Sequence, residues 1–271
     1  SKQLLNKVGG FDKRFDGSQD YDLILRLTEC AENIVHVQKI LYFWRAHENS
    51  VAQDINAKAY ALTAAKDALA AHLGRVGLDG EVTDGKIPTI YRIKYKIEGQ
   101  PLVSILIPNK DHVNELKKCI DSIQDRSTYK NIEIVIVENN SKEEQTVAYY
   151  NAVTNQYSNV RVVNWNGEFN YSAINNYAVS QANGSYVLLL NNDTKVINEE
   201  CLEELLTFCM REDTGIVGAR LFYPDDTVQH AGVIVGLGGI AGHAFLGLDR
   251  KELGYFARVT CAQEYSAVTG A

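Results

Sequence analysis

From residue 103 onward, short apolar runs alternate with stretches of helical periodicity. Val103-Ser-Ile-Leu-Ile107 reads as a buried strand halted by Pro108. Residues 113–123 follow with Val113, Leu116, Ile120 and Ile123 on one helical face. Residues 132–137 form a second apolar run that ends in Glu138-Asn139-Asn140-Ser141. Ser141 with Glu144 three residues on is a capping-box signal for a helix running toward Tyr150. Strands over 160–163 and 186–190, helices over 171–182 and 199–210, and a strand-like stretch over 215–221 complete the pattern. Repeated βα units predict an α/β fold whose sheet is mostly parallel, with helices on both faces.

The earlier residues follow another rhythm. An Ala-rich stretch, 57–73, lacks Gly and Pro and predicts a helix stopped by Gly74 and Gly77. Residues 78–88 read as a polar connector, and Tyr91-Arg-Ile-Lys-Tyr-Lys-Ile97 alternates as a half-exposed strand. Near the amino end, Val8-Gly9-Gly10-Phe11-Asp12 predicts a turn, and Gln19-Asp20-Tyr21-Asp22 opens a helix carrying Leu23, Leu25 and Leu27. Residues 34–37 and 40–44 read as short strands.

At 271 residues and 45% apolar content the chain can bury a real core. Its net charge of −7 excludes a nucleic-acid binder of the electrostatic kind. No apolar stretch approaches the roughly 20 residues that span a bilayer, and no signal-peptide core is visible. The five cysteines are scattered and form no CxxC, which fits structural thiols in a reducing compartment, with zinc or redox chemistry as the alternatives. The expected location is the cytoplasm.

The chemistry concentrates where strands end. The run Tyr186-Val-Leu-Leu-Leu-Asn-Asn-Asp193-Thr194 delivers Asn191, Asn192 and Asp193 to the carboxyl edge of the sheet, where open α/β sheets bind ligands. A carboxylate there can hold a divalent cation, and the cation a diphosphate. A turn that merely follows a strand is the alternative. His230 and His243 sit among glycines, as in a loop lying over a cleft; zinc would lack further ligands at close spacing. Trp44 and Trp165 could stack on sugar or simply be buried.

Over residues 101–271 the ordered set Ser104-Ile-Leu-Ile-Pro-Asn-Lys110, Ile134-Val-Ile-Val-Glu-Asn-Asn-Ser141, Tyr171-Ser-Ala-Ile-Asn-Asn176 and Leu188-Leu-Leu-Asn-Asn-Asp-Thr194 resembles the amino-terminal part of a family 2 glycosyltransferase with the GT-A fold. Val228-Gln-His-Ala-Gly232 with Gly242-His-Ala-Phe245 resembles a subgroup of bacterial polysaccharide transferases, rhamnosyltransferase-like ones included. Gly9-Gly-Phe-Asp12, Gln19-Asp20 and Tyr42-Phe-Trp-Arg-Ala-His47 resemble the carboxyl-terminal part of the same catalytic domain, with Gln19 where the family has Glu. The order is inverted. The expected organisation is therefore the end of a first GT-A domain over 1–52, a linker over 53–100 and the nucleotide-sugar-binding start of a second domain over 101–271. Such halves could complete one another within the chain or across a domain-swapped homodimer.

The resemblance implies roles. Asp193 would be the ligand of Mn²⁺ or Mg²⁺, with Asn191 and Asn192 standing where relatives often have Asp and supplying no charge. Pro108, Asn109, Lys110, Glu138 and Asn139 would hold the nucleoside, and Asn176 the diphosphate side. Asp20 would be the general base of an inverting displacement, or else a first-turn helix acid, and His47 would complete the metal shell. The implied partners are a nucleotide-diphosphate sugar donor and a saccharide or lipid-linked saccharide acceptor, at the inner face of the cell membrane. The alternatives are an inactive nucleotide- or sugar-binding module and a nucleotidyltransferase. The latter would want a Gly-rich basic loop, which Asn109-Lys-Asp-His112 is not.

Overall fold

A computed structural model describes residues 1–43 and 59–270. The chain divides into two compact units, Ser1–Lys96 and Ile97–Ala271.

In the first unit, helices α1 (Lys2–Val8), α2 (Gln19–Cys30) and α3 (Ala59–Val76) precede an antiparallel hairpin of β1 (Gly80–Asp84) and β2 (Tyr91–Tyr95). Leu69 and Leu73 of α3 pack with Val82 of β1, and Leu25 of α2 joins them. The stretch expected to be a polar connector thus contributes a strand, because Val82 and Ile93 give the hairpin an apolar side for α3. Asp22 is completely buried. Its carboxylate accepts from Arg26 Nε (2.9 Å) and Nη2 (2.7 Å), and Arg75 Nη1 lies 3.7 Å away. Arg26 also donates to the carbonyls of Val8 (2.6 Å) and Gly10 (2.8 Å), which pins the Gly-Gly turn. Residues 34–43 form no strand, and Ile34, Val35, Ile40 and Phe43 lie exposed, because no strand among the described residues pairs with their backbone; Trp44, the end of the second expected strand, lies outside the described residues.

The second unit is built on four parallel strands in the order β5-β4-β3-β6: β3 (Val103–Asn109), β4 (Ile132–Glu138), β5 (Val160–Asn164) and β6 (Tyr186–Leu189). Helices α4 (Val113–Arg126), α5 (Glu144–Gln156), α6 (Tyr171–Gln181) and α7 (Cys201–Cys209) follow the strands in turn. Alternation along the strands divides the core. Ile105, Ile107, Ile134 and Ile136 face Leu116 and Ile120 of α4, Val153 of α5 and Leu206 of α7. Leu106, Val135 and Val137 face Ile174 and Ala178 of α6. Both faces of the sheet are therefore covered, as a parallel sheet requires.

Pro108 does not stop β3. The pairing with β6 ends at Leu106, and Pro108 pairs only with Val137 of β4. Pro108 lies past the last paired residue of β6, so its missing N–H breaks no bond of that ladder. The strand expected over 215–221 is reduced to β7 (Leu221–Phe222), paired with β8 (Val228–His230). A further short hairpin joins β9 (Val233–Val235) to β10 (Ala241–His243).

Candidate functional site

Parallel strands bring their carboxyl ends to one edge. Asn109 and Glu138, the last residues of β3 and β4, are register partners. Beyond β6 the chain stays beside β3, since Leu190 N–H donates to Leu106 O at 3.0 Å. This carries the 191–194 turn to the same edge.

Side chains tie these ends together. Asn192 Nδ2 donates to Asn109 Oδ1 (2.6 Å), and Asn109 Nδ2 donates to Tyr150 Oη (2.8 Å). Tyr150 in turn donates to Glu138 Oε2 at 2.5 Å. Glu138 also accepts from the Ser141 hydroxyl (2.6 Å) and from the Ser141 N–H. Asn139 is buried and donates to the carbonyls of Trp165 (3.3 Å) and Gly167 (3.1 Å), anchoring the loop after β5.

Ser141 does not cap α5. Among the described residues no side chain caps it; Asp111, from the β3–α4 loop, instead ties down the residues just ahead of it, its Oδ1 accepting the N–H groups of Lys142 and Glu143, each at 2.9 Å. The Glu143 N–H bond is the main reason that the Asp111 carboxyl lies below its ordinary range. Asp111 (φ 56°) and His112 (φ 50°) are both left-handed, a conformation that Asp and His tolerate better than most side chains. Sequence reasoning missed Asp111, Ser141 and Tyr150 as members of this edge. Asp111 and Tyr150 act through contacts across 12 to 32 residues, which no local spacing announces, while Ser141 meets Glu138 three residues away and Asp111 across 30.

Asp193 is exposed in the turn, and among the described residues its carboxylate makes no hydrogen bond or ion pair. Below it lies buried Cys119, whose Sγ contacts Asn191 O (3.8 Å) and Thr194 Oγ1 (3.6 Å). Burial chiefly, with the Asp193 charge adding, raises that thiol to about 11, so it stays protonated. The described residues contain no group of three or more His, Cys, Asp or Glu side chains suited to a metal. The exposed Asp193 carboxylate still fits Mg²⁺ or Mn²⁺, hard ions that take one or two protein oxygens and fill the rest of the shell with phosphate and water.

The other sequence candidates fall as follows. Pro108 is half-buried, Lys110 is exposed just past Asn109, and Asn191 offers its carbonyl to Thr194 Oγ1 at 2.8 Å. Asn176 is exposed on α6, while its neighbour Asn175 is buried, with Oδ1 lacking a partner among the described residues. Asp20 is exposed in the first turn of α2, with Oδ1 accepting from Tyr21 N–H at 2.9 Å. Trp165 rests against Tyr177, its ring 5.4 Å away. His47 and Trp44 lie outside the described residues.

The two glycine-flanked histidines meet. His230 is buried; its Nε2 accepts from Thr269 N–H (3.4 Å) and its Nδ1 lies 2.9 Å from His243 Nδ1. Burial, and then the charge of His243, lower the pKa of His230. A histidine depressed in the fold contributes its stability above its unfolded pKa of about 6.5 and loses it as pH falls through the folded value. The melting temperature of the second unit is therefore expected to drop from about pH 7.5 to about 5.5, and His230→Gln to flatten that drop. Parallel melting curves for variant and wild type would clear the pair of responsibility.

The sequence profile of glycosyl transferase family 2 matches residues 104–242, just over half of the 271-residue chain. The uncharacterized protein y4gI of Sinorhizobium fredii is 44% identical over 99% of this chain, and the O-antigen biosynthesis protein RfbC of Myxococcus xanthus is 38% identical over all of it. The chain spans only 30% and 21% of those two proteins. Among solved structures, a mannosyltransferase of Pyrobaculum calidifontis in complex with GDP-Man and Mn²⁺ aligns with 64% of this chain and 48% of its own, at 17% identity and a TM-score of 0.42.

Proposed function

Since the chain belongs to glycosyl transferase family 2, we propose that its second unit binds a nucleotide-diphosphate sugar at the carboxyl edge of the parallel sheet. The intact protein would pass the sugar, with inversion, to a saccharide or lipid-linked saccharide in cell-surface polysaccharide synthesis. One observation supports this above others: the ends of β3, β4 and β6 meet at one edge and are joined there through Asn109, Glu138 and Asn192.

In this reading Glu138 receives the nucleoside. Its Oε2 is filled by Tyr150 and Ser141, while Oε1 keeps room for one more donor beside the Ser141 N–H. Pro108, Asn139 and Lys110 shape the walls, and Asn176 faces the diphosphate side. Asp193 and Asn192 Oδ1 would hold Mn²⁺ or Mg²⁺, with His47 as a further ligand. When bound, the cation offsets the charge of the departing diphosphate. Asp20 takes the proton of the acceptor hydroxyl as that oxygen attacks the anomeric carbon and the bond to the diphosphate breaks. An active, monodisperse monomer in light scattering would dispose of a swapped dimer. Among the described residues no helix is long and apolar enough to cross a membrane.

The test is to titrate the full chain with nucleoside diphosphates and Mn²⁺, then to follow turnover of the sugar nucleotide in wild type and Asp20→Asn. Asp20→Asn is expected to keep nucleotide binding and to lose about 10²–10⁴-fold in turnover. Wild-type binding with no turnover would instead favour a nucleotide-binding module.

A further inference from the structure

We infer that Tyr150 and Asn109 are positioning residues that set the Glu138 carboxylate and the Asn192 carboxamide as one unit, so that the nucleoside end and the diphosphate end of the site are bound cooperatively. The inference rests on the nucleotide-sugar reading of this edge.

It follows from counting donors. Asn109 is buried, and both Nδ2 hydrogens are spoken for, by Asp111 O and by Tyr150 Oη, each at 2.8 Å. Its Oδ1 takes the Asn192 amide at 2.6 Å. Turning the Asn109 amide over would set its oxygen against the Asp111 carbonyl, acceptor against acceptor, so one orientation is fixed. Tyr150 Oη, having accepted from Asn109, spends its one proton on Glu138 Oε2 at 2.5 Å. Burial, and then the hydrogen bond to Glu138, raise the Tyr150 phenol far above its ordinary range and keep that proton in place. Every donor in the chain from Asn192 to Glu138 therefore points the same way, toward a carboxylate, and such aligned bonds polarise one another.

The frame around this relay is stiff. The Tyr150 ring sits in the core with Ile136, Leu116 and Val153, so the hydroxyl cannot follow a moving partner. The relay also decides what Asn192 shows to a ligand. One amide hydrogen is committed to Asn109, and the carbonyl Oδ1 accepts no hydrogen bond among the described residues. The side chain next to Asp193 thus offers an oxygen acceptor, suited to a divalent cation or a ribose hydroxyl, and a shift at Glu138 would be felt there through two intermediates.

A double-mutant cycle tests this on the full chain. UDP and GDP, each with Mn²⁺, are titrated calorimetrically into wild type, Tyr150→Phe, Asn192→Ala and the double variant. Each single change is expected to weaken the tighter nucleotide about 10-fold, as losses of supporting hydrogen bonds do. The double change is expected to weaken it by no more than about 20-fold, not by the roughly 100-fold product of independent sites. A multiplicative double variant, or wild-type affinity in Tyr150→Phe, overturns the relay. A merely structural Tyr150 would lower the melting temperature and leave the coupling at zero. Should Tyr150→Phe fail to fold, the cycle of Glu138→Gln with Asn192→Ala, the two ends of the relay, decides by the same criterion. A wild type that binds neither nucleotide overturns the nucleotide-site reading itself, and the relay's role with it.

Discussion

Asp193→Asn is expected to reduce turnover of a sugar-nucleotide donor by about 10²–10³-fold, the usual consequence of removing one group aimed at developing charge. Asn191 and Asn192 are neutral, so Asp193 carries the only negative charge of the tip. Its carboxylate is exposed and unbonded among the described residues, so the substitution leaves the fold's hydrogen bonds as they were. Stability should move by less than about 0.5 kcal/mol, the range of an ordinary surface change. Function lost with stability kept is the signature to look for, with Mn²⁺-dependent nucleotide binding followed by calorimetry beside thermal melting. Wild-type turnover in Asp193→Asn would remove the tip from the mechanism.

Asp22→Ala should have the largest effect on stability. Asp22 is completely buried and holds Arg26 by two hydrogen bonds, with Arg75 close by. Truncating one partner of a buried ion pair strands the other, at a cost of about 3–5 kcal/mol. Here the stranded Arg26 also clasps the carbonyls of Val8 and Gly10, so the Gly-Gly turn is expected to loosen with it. Hydrogen exchange of the α2 amides in the full chain would report the loss within the first unit. A cost below about 1 kcal/mol would mean that Arg26 finds water or another acceptor, contrary to the burial argument.

How far the sequence announced this structure depends on the range of each interaction. The βα repeat was plain, because buried parallel strands must be nearly all apolar and each helix needs one apolar stripe. The runs beginning at Val103, Ile132, Val160 and Tyr186 became β3, β4, β5 and β6 within a residue or two. The strand expected over 215–221 and the capping role of Ser141 did not materialise. In both cases a partner outside the helix or strand pattern decided: strand pairing forms only over Leu221–Phe222, and the Ser141 hydroxyl is spent on Glu138 and the Asp111 N–H. The edge chemistry divides the same way. Asn109, Glu138 and Asn192 could be picked out because they end apolar runs, whereas Tyr150 sits inside an ordinary helix pattern and shows its role only in three dimensions.

The Asp111 contact just ahead of α5 has a consequence for electrostatics. A helix start of this kind, with its free amides and the positive end of its dipole, is a ready seat for phosphate. In this molecule the Asp111 carboxylate stands just ahead of that start, bound to the amides of Lys142 and Glu143. The protein carries its own anion there, and a ligand's phosphate brought to that helix would meet like charge. On the nucleotide-sugar reading, compensation for a diphosphate would then fall to the 191–194 turn, where the Asp193 carboxylate would recruit a cation.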